Sequence, residues 1–336
     1  MQKKRIEWID FCRGLAIILV ILGHCVGRMG NSKIETLVNV LICSFHMPLF
    51  FFLSGLNANT EVNNKEYIVK RIKKLFLPLL FFSLFMFAYK MLKAYGSGSI
   101  EVFLNSNLKG KGLYYLIGLT RKSIVSEYWF IPAIFCAEVL FQMIIGICKK
   151  KYVIFTVAVM MMVISIMAKK NIDLVLPLSS EIAMLCFPFY VVGHYSKDCL
   201  LNNKMKYMRL ICILCLFLIG NFVTIVAELG TVNIYGLQVR NIFLFVINAG
   251  SGIICAIYIS KLINKIGFVN YLGRNTLLVY CLHYFFLEFF VTLHTKLNIG
   301  HSLKGLSLVY AVIIVGICYG ICKMVDYIKS TYGGIK

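Results

Sequence analysis

The sequence predicts an all-α membrane protein, a polytopic bundle of about ten transmembrane helices with both termini in the cytoplasm. Three observations carry this. First, 60% of the 336 residues are hydrophobic and only 15% are charged, with a mean hydropathy of +0.82. A soluble domain has roughly 45–50% apolar residues and about a quarter charged. Second, the apolar residues run on for about twenty positions at a time. That suits helices crossing a bilayer, whereas an outer-membrane barrel would alternate. Third, the basic residues recur on every second connection. The same composition excludes a disordered chain and a small disulfide scaffold.

Lys and Arg number 35 against 14 Asp and Glu, a net charge of +21. In a soluble protein that surplus would point to nucleic acid. Here retained cytoplasmic loops account for it. With the N-terminus inside, 21 of the 35 cations fall on inside segments and 13 outside, Arg13 lying within the first run. Membrane lipids are therefore expected partners and nucleic acid is not. Residues 1–336 read as a single integral-membrane domain.

The first apolar run, 8–27, follows a basic start as a signal peptide would. Asp10 and Arg13 interrupt it and no small-x-small cleavage site follows, so a retained span is expected. Arg13 and His24 are eleven residues apart, just over three helical turns, so both face one way at ~16 Å along the axis. Asp10 lies one turn below Arg13 and can pair with it. Ionisable groups in a span are costly and mark candidate sites. The plain alternative is an interfacial ion pair and a packed polar histidine. Gly14, Gly23 and Gly27 permit close helix approach.

The second run, 37–56, contains CSFHMPLFFFLSGL, with His46 near its middle and Pro48 freeing a backbone carbonyl. A proline-broken helix at membrane depth needs protein or a cavity around it, and His24 and His46 could share that cavity. No carboxylate or cysteine is placed with them, so no metal is expected. The third run, 75–93, is preceded by KEYIVKRIKKLFLP. Its cations suit anionic lipid or a phosphorylated ligand, since Arg71 and Lys74 are one turn apart and can meet one phosphate group. The connection 94–127 holds GSGS and then KGKGLYYLIGLTRK, whose apolar centre between basic flanks reads as an interfacial or re-entrant piece.

The fourth run, 128–148, opens with EYWFIPAIF, and Trp129 suits an interfacial belt. The fifth and sixth, 152–168 and 178–195, are short, and His194 ends the sixth at the interface. In the seventh, 208–229, Cys212 and Cys215 have CxxC spacing but sit mid-helix. They read as buried apolar thiols, because both the metal and the redox motif want a polar turn. The eighth is 241–260. The ninth, 272–293, carries His283 and Glu288 in YLGRNTLLVYCLHYFFLEF, with Asn275 and Tyr280 nearby. The tenth is 306–325, and His294 and His301 read as loop residues between these last two. From placement alone, an enzyme and a secondary transporter both stay open. A transporter would suit broken helices and intramembrane charge, but the polar residues cluster in the first three runs and no matching pair of interrupted segments recurs.

RIEWIDFCRGLAIILVILGH, with its Arg-x10-His spacing, resembles the opening of acyltransferase family 3, the integral-membrane acyltransferases that modify bacterial surface sugars. FHMPLFFFLSG is similar to that family's next signature. KRIKKLFLP resembles its basic motif, with Lys74 where the family pattern has a second arginine. EYWFIPAIF and GRNTLLVYCLH are similar to later landmarks, and HMPLFFFLSG resembles the fucose 4-O-acetylase branch. No hydrolase-like domain follows the tenth run, so the stand-alone form is expected.

The resemblance implies transfer of an acyl group, usually acetyl from acetyl-CoA, to a sugar hydroxyl in the cell membrane. It implies a surface polysaccharide or lipid-linked glycan as acceptor. His24 would be the general base, or would carry the acetyl transiently. Asp10 would orient Arg13, and His46 would polarise the thioester or bind acceptor. Arg71, Lys74 and Arg13 would bind the donor, with Trp129 and His283 on the substrate side.

Overall fold

The computed structural model describes residues 6–30, 32–58, 60, 64–107, 118–172, 175–202, 207–296 and 305–332. The helices are α1 (Glu7–Met29), α2 (Lys33–Leu56), α3 (Asn64–Gly96), α4 (Ile100–Asn107), α5 (Phe130–Ile147), α6 (Lys151–Ile172), α7 (Ser180–Tyr195), α8 (Lys197–Asn202), α9 (Tyr207–Val226), α10 (Ile242–Leu262), α11 (Gly267–Arg274), α12 (Thr276–Lys296) and α13 (Leu306–Tyr332). Among the described residues, 9 helices are long and apolar enough to cross a membrane: α1, α2, α3, α5, α6, α9, α10, α12 and α13. The chain is an all-α, multi-pass membrane protein. The sixth expected run is α7, which has only 16 residues. A 3-10 turn at Pro177–Ser179 leads into it, and Leu178 and Ser179 there take left-handed backbone.

Helix ends depart from the apolar runs for physical reasons. α3 begins at Asn64 and not at 75, because the Lys-rich stretch is built of good helix formers that hydropathy does not register. The ninth run resolves into α11 and α12. Asn275 separates them, its N–H bonded to the carbonyls of Tyr271 and Leu272. α2 continues through Pro48, so that proline interrupts the hydrogen-bond ladder without breaking the helix. His294 lies inside α12 and not in a loop. His301 and the apolar centre of KGKGLYYLIGLTRK at 113–117 lie outside the described residues.

Two compact units make up the chain. The first comprises Met1–Phe50, Asn203–Val232 and Arg240–Lys336, and the second Phe51–Asn202 and Asn233–Val239, the division falling within α2.

In the first unit α1 is central, against α10, α11, α12 and α13, while α9 lies on α10. α1 is also the most buried of the membrane-length helices. Its contact with α11 is backbone to backbone. A Cβ on Gly14 would fall onto the Val269 carbonyl, and one on Gly273 onto the Asp10 carbonyl. Small residues are what permit such an approach. The start of α2 is a capping box, in which the Glu35 backbone N–H donates to Ser32 Oγ at 3.2 Å and Ser32 N–H donates to Glu35 Oε2 at 3.0 Å. Ser307 of α13 donates to the other oxygen of the same buried carboxylate. α9 turns Ile219 and Phe222 outward, as a lipid-facing helix does. Cys212 and Cys215 are exposed on it. They are apolar-helix thiols as expected but not buried ones, because they lie on the outward face that α9 shares with Ile219 and Phe222.

In the second unit α7 packs against α5 and α6, and α3 against α5 and α4. A fully buried ion pair, Arg121 Nε to Glu181 Oε1 at 2.9 Å, ties the segment before α5 to the start of α7. Lys90 of α3 pairs with Glu127 and donates to the Ile124 carbonyl at 2.7 Å.

Candidate active site

α1 organises the polar residues of the first unit. At its start Asp10 is buried, and its carboxylate stands 4.0 Å from Arg13 Nη1. Three turns on, His24 is half-buried. Its ring stacks on His283 of α12, with centroids 5.6 Å apart and planes 26° from parallel. The ring of Tyr284 meets His24 edge-on at 5.2 Å. Consecutive residues on α12 thus cover two sides of one imidazole. His46 of α2 belongs to the same unit.

Two of the three imidazoles have their tautomer set by main chain. His46 Nδ1 is 2.7 Å from the Ile42 carbonyl, and His283 Nδ1 is 2.7 Å from the Tyr280 carbonyl. A carbonyl only accepts, so Nδ1 donates in each, and the neutral ring keeps its lone pair on Nε2. His283 is 1% exposed, and its Nε2 has no hydrogen-bond partner among the described residues.

One turn beyond His24, Arg28 reaches across to α12. It donates to Glu288 Oε1 at 2.7 Å through Nη2 and to Tyr284 Oη at 3.4 Å through Nη1. Four residues separate Arg28 from His24, which puts both on one face.

In the second unit Arg71 of α3 forks onto Glu138 of α5. Its Nε donates to Oε2 at 2.6 Å, and its Nη2 donates to Oε1. Ser54 donates to the same Oε1 at 2.8 Å. The Glu138 side chain is 3% exposed, so its charge is matched where water cannot do so. The fork joins residues from FFFLSG and KRIKKLFLP with one that follows EYWFIPAIF. Lys74 is exposed. Trp129 is buried at the start of α5, with Tyr235 at 6.2 Å between ring centroids. His194 closes α7 between the rings of Phe141 and Tyr195.

The expected residues therefore divide. Asp10, Arg13, His24, His46 and His283 belong to the first unit, and Arg71, Lys74 and Trp129 to the second. Glu138, Arg28 and Tyr284 were missed. Glu138 sits in an apolar run and Arg28 reads as a flanking cation, so only long-range contact reveals either. Glu288 was noted without its partner, and Tyr284 adjoins His283 but looks like one more aromatic in HYFFLEFF.

Comparison with known proteins places these residues in a wider set. A family model described as an acyltransferase domain matches residues 6–323, across both units. The chain is similar to a protein named nodulation protein NolL from Mesorhizobium japonicum, with 27% identity over 142 residues, 40% of this chain and 35% of the relative. The match thus spans about a third of that relative's length. No solved structure matches the chain.

Proposed function

The chain belongs to acyltransferase family 3, and from that membership we propose that it is a membrane O-acetyltransferase. It moves acetyl from cytosolic acetyl-CoA to a hydroxyl of a cell-surface or lipid-linked sugar. The observation that carries the reading is the His24 imidazole, stacked on His283 and bordered by Tyr284 on a helix long and apolar enough to cross a membrane, within the residues that the acyltransferase family model matches.

In this reaction His24 takes the proton of the acceptor hydroxyl as that oxygen attacks the thioester carbonyl. The C–O bond forms, the C–S bond breaks, and the departing thiolate recovers the proton from His24. A positioned base of this kind contributes about 10²–10⁴-fold. His24 suits the role better than His283, because it is half-buried and can meet substrate while His283 forms a wall. His46, with its Nε2 lone pair, binds the acceptor or assists at the thioester carbonyl. Arg13, oriented by Asp10, and Arg71 and Lys74 are assigned to the donor's phosphates, with Trp129 on the substrate side. Glu138 holds the Arg71 guanidinium through Nε and Nη2, which fixes where that cation stands for the donor. Both termini and the basic loops are assigned to the cytoplasm, where CoA is found.

The test is acetyl-CoA cleavage by protein in nanodiscs, wild type beside His24→Ala, with mass spectrometry of the host's surface glycans for added acetyl. Both signals should be lost in the variant. If the wild type shows neither, acetyl transfer is wrong and a transport assay follows.

A further inference from the structure

The polar residues of α1 are spread along one helix. Asp10 and Arg13 stand near its start, His24 lies beyond its middle, and Arg28 lies in its last turn. From Arg13 to Arg28 is ~22 Å along the axis. At that far end a connected set leads away from the imidazole. Tyr284 touches the His24 ring at 5.2 Å, its hydroxyl accepts from Arg28 at 3.4 Å, and Arg28 pairs with Glu288 at 2.7 Å. Arg28 is the open member of the set, with a side chain 41% exposed against 12% for Glu288.

The chemistry of this set is selective. A guanidinium only donates and a carboxylate only accepts, whereas a hydroxyl does both. A donor-only group bonded beside an acceptor-only group therefore matches neighbouring hydroxyls, each of which can accept from one and donate to the other. An aromatic ring at the same place offers an apolar face for the C–H side of a sugar ring. A plain clasp between α1 and α12 is the competing explanation. With its arginine 41% exposed, the ion pair gains only modest Coulomb energy for helix association, and the ring stack already joins these two helices.

We propose that Arg28, Glu288 and Tyr284 form the acceptor-recognition edge of the enzyme. They hold hydroxyls of a glycan beside His24, so the acceptor reaches the base from the end of α1 opposite Arg13. The assignment rests on the acetyltransferase reading above.

The test uses full-length protein in nanodiscs with radiolabelled acetyl-CoA as donor. The acceptor probe is envelope polysaccharide from the host, stripped of its O-esters by mild alkali. Glu288→Gln and Arg28→Gln are compared with the charge-swapped pair Arg28→Glu with Glu288→Arg. KM for each substrate and the thermal midpoint are read together. Each single variant should raise KM for the polysaccharide about tenfold or more, the effect of losing one hydrogen bond to a charged group. KM for acetyl-CoA should move less than about twofold, since the donor does not meet these residues. The swapped pair should regain the thermal midpoint but not the polysaccharide KM. Recovery of both in the swapped pair would reduce the set to a structural clasp, and an unmoved polysaccharide KM in the single variants would overturn the proposal outright. A wild type that cleaves acetyl-CoA without labelling the polysaccharide refutes a glycan acceptor, and this edge with it. A wild type that cleaves no acetyl-CoA overturns the underlying reaction instead.

Discussion

His24 and His283 lie face to face, with 5.6 Å between ring centroids, and among the described residues only the His283 ring is anchored by a hydrogen bond. His283 is tied through Nδ1 to the Tyr280 carbonyl of its own helix. The orientation of its ring thus comes from the α12 backbone, and the His24 ring rests on it. This separates a reacting group from a supporting one in a pair that looks symmetric.

The two should respond differently to substitution. His24→Ala should lower acetyl transfer by ~10²–10⁴-fold, the range for loss of a positioned base. His283→Phe keeps a flat ring under His24 and should retain more activity than His24→Ala. Initial rates with acetyl-CoA at saturation, measured for both variants, check the ranking.

Glu138 depends on Arg71 and Ser54 for its charge. Arg71→Ala leaves a carboxylate only 3% exposed with Ser54 still donating to it, which should cost about 3–5 kcal/mol. Arg71→Lys keeps the charge but loses the fork and should fall between. Thermal unfolding in detergent reads the stability, and calorimetric titration with CoA reads donor affinity on the same samples.

The pair Arg121–Glu181 offers the reverse experiment. Both side chains are at most 4% exposed, so Arg121→Ala should destabilise by about 3–5 kcal/mol, whereas replacing both by Met and Leu should come out near neutral. The Leu176 N–H donates to Glu181 at 3.2 Å and loses that acceptor, which sets the remaining deficit. Comparing the thermal midpoints of the single and double variants decides it.

Gly273→Ala tests the approach of α1 to α11. The added methyl lands on the Asp10 carbonyl, and an overfilled contact costs about 1–3 kcal/mol or more. The expected result is a lower thermal midpoint and reduced monodisperse yield. Gly316→Ala is the control, because nothing lies within 4 Å of its would-be Cβ.

Much of α1 was legible in the sequence because its logic is local. Helical spacing alone puts Arg13 and His24 on one face and Asp10 within reach of Arg13. The apolar runs located the membrane helices for the same reason, since lipid selects on composition over about twenty consecutive residues. What was not legible depends on contacts between distant segments. Nothing near Glu138 in FCAEVLFQ announces that a guanidinium from α3 will neutralise it. Arg28 looks like one more flanking cation until α12 brings up Glu288 and Tyr284. His283 was legible as a polar residue in a span, but its place beneath His24 needed the fold.

The central position of α1 also bears on biogenesis. This helix leaves the ribosome before α10, α11, α12 and α13, the neighbours that surround it in the finished protein. Until those segments are translated, Asp10, Arg13 and His24 have no shelter from α11 or α12, and bare ionisable groups are poorly tolerated by lipid. The first span must therefore wait at the interface or under the care of the insertion machinery. Truncated nascent chains ending before α11 should be held there and handed to quality control, while chains that include α12 should escape it.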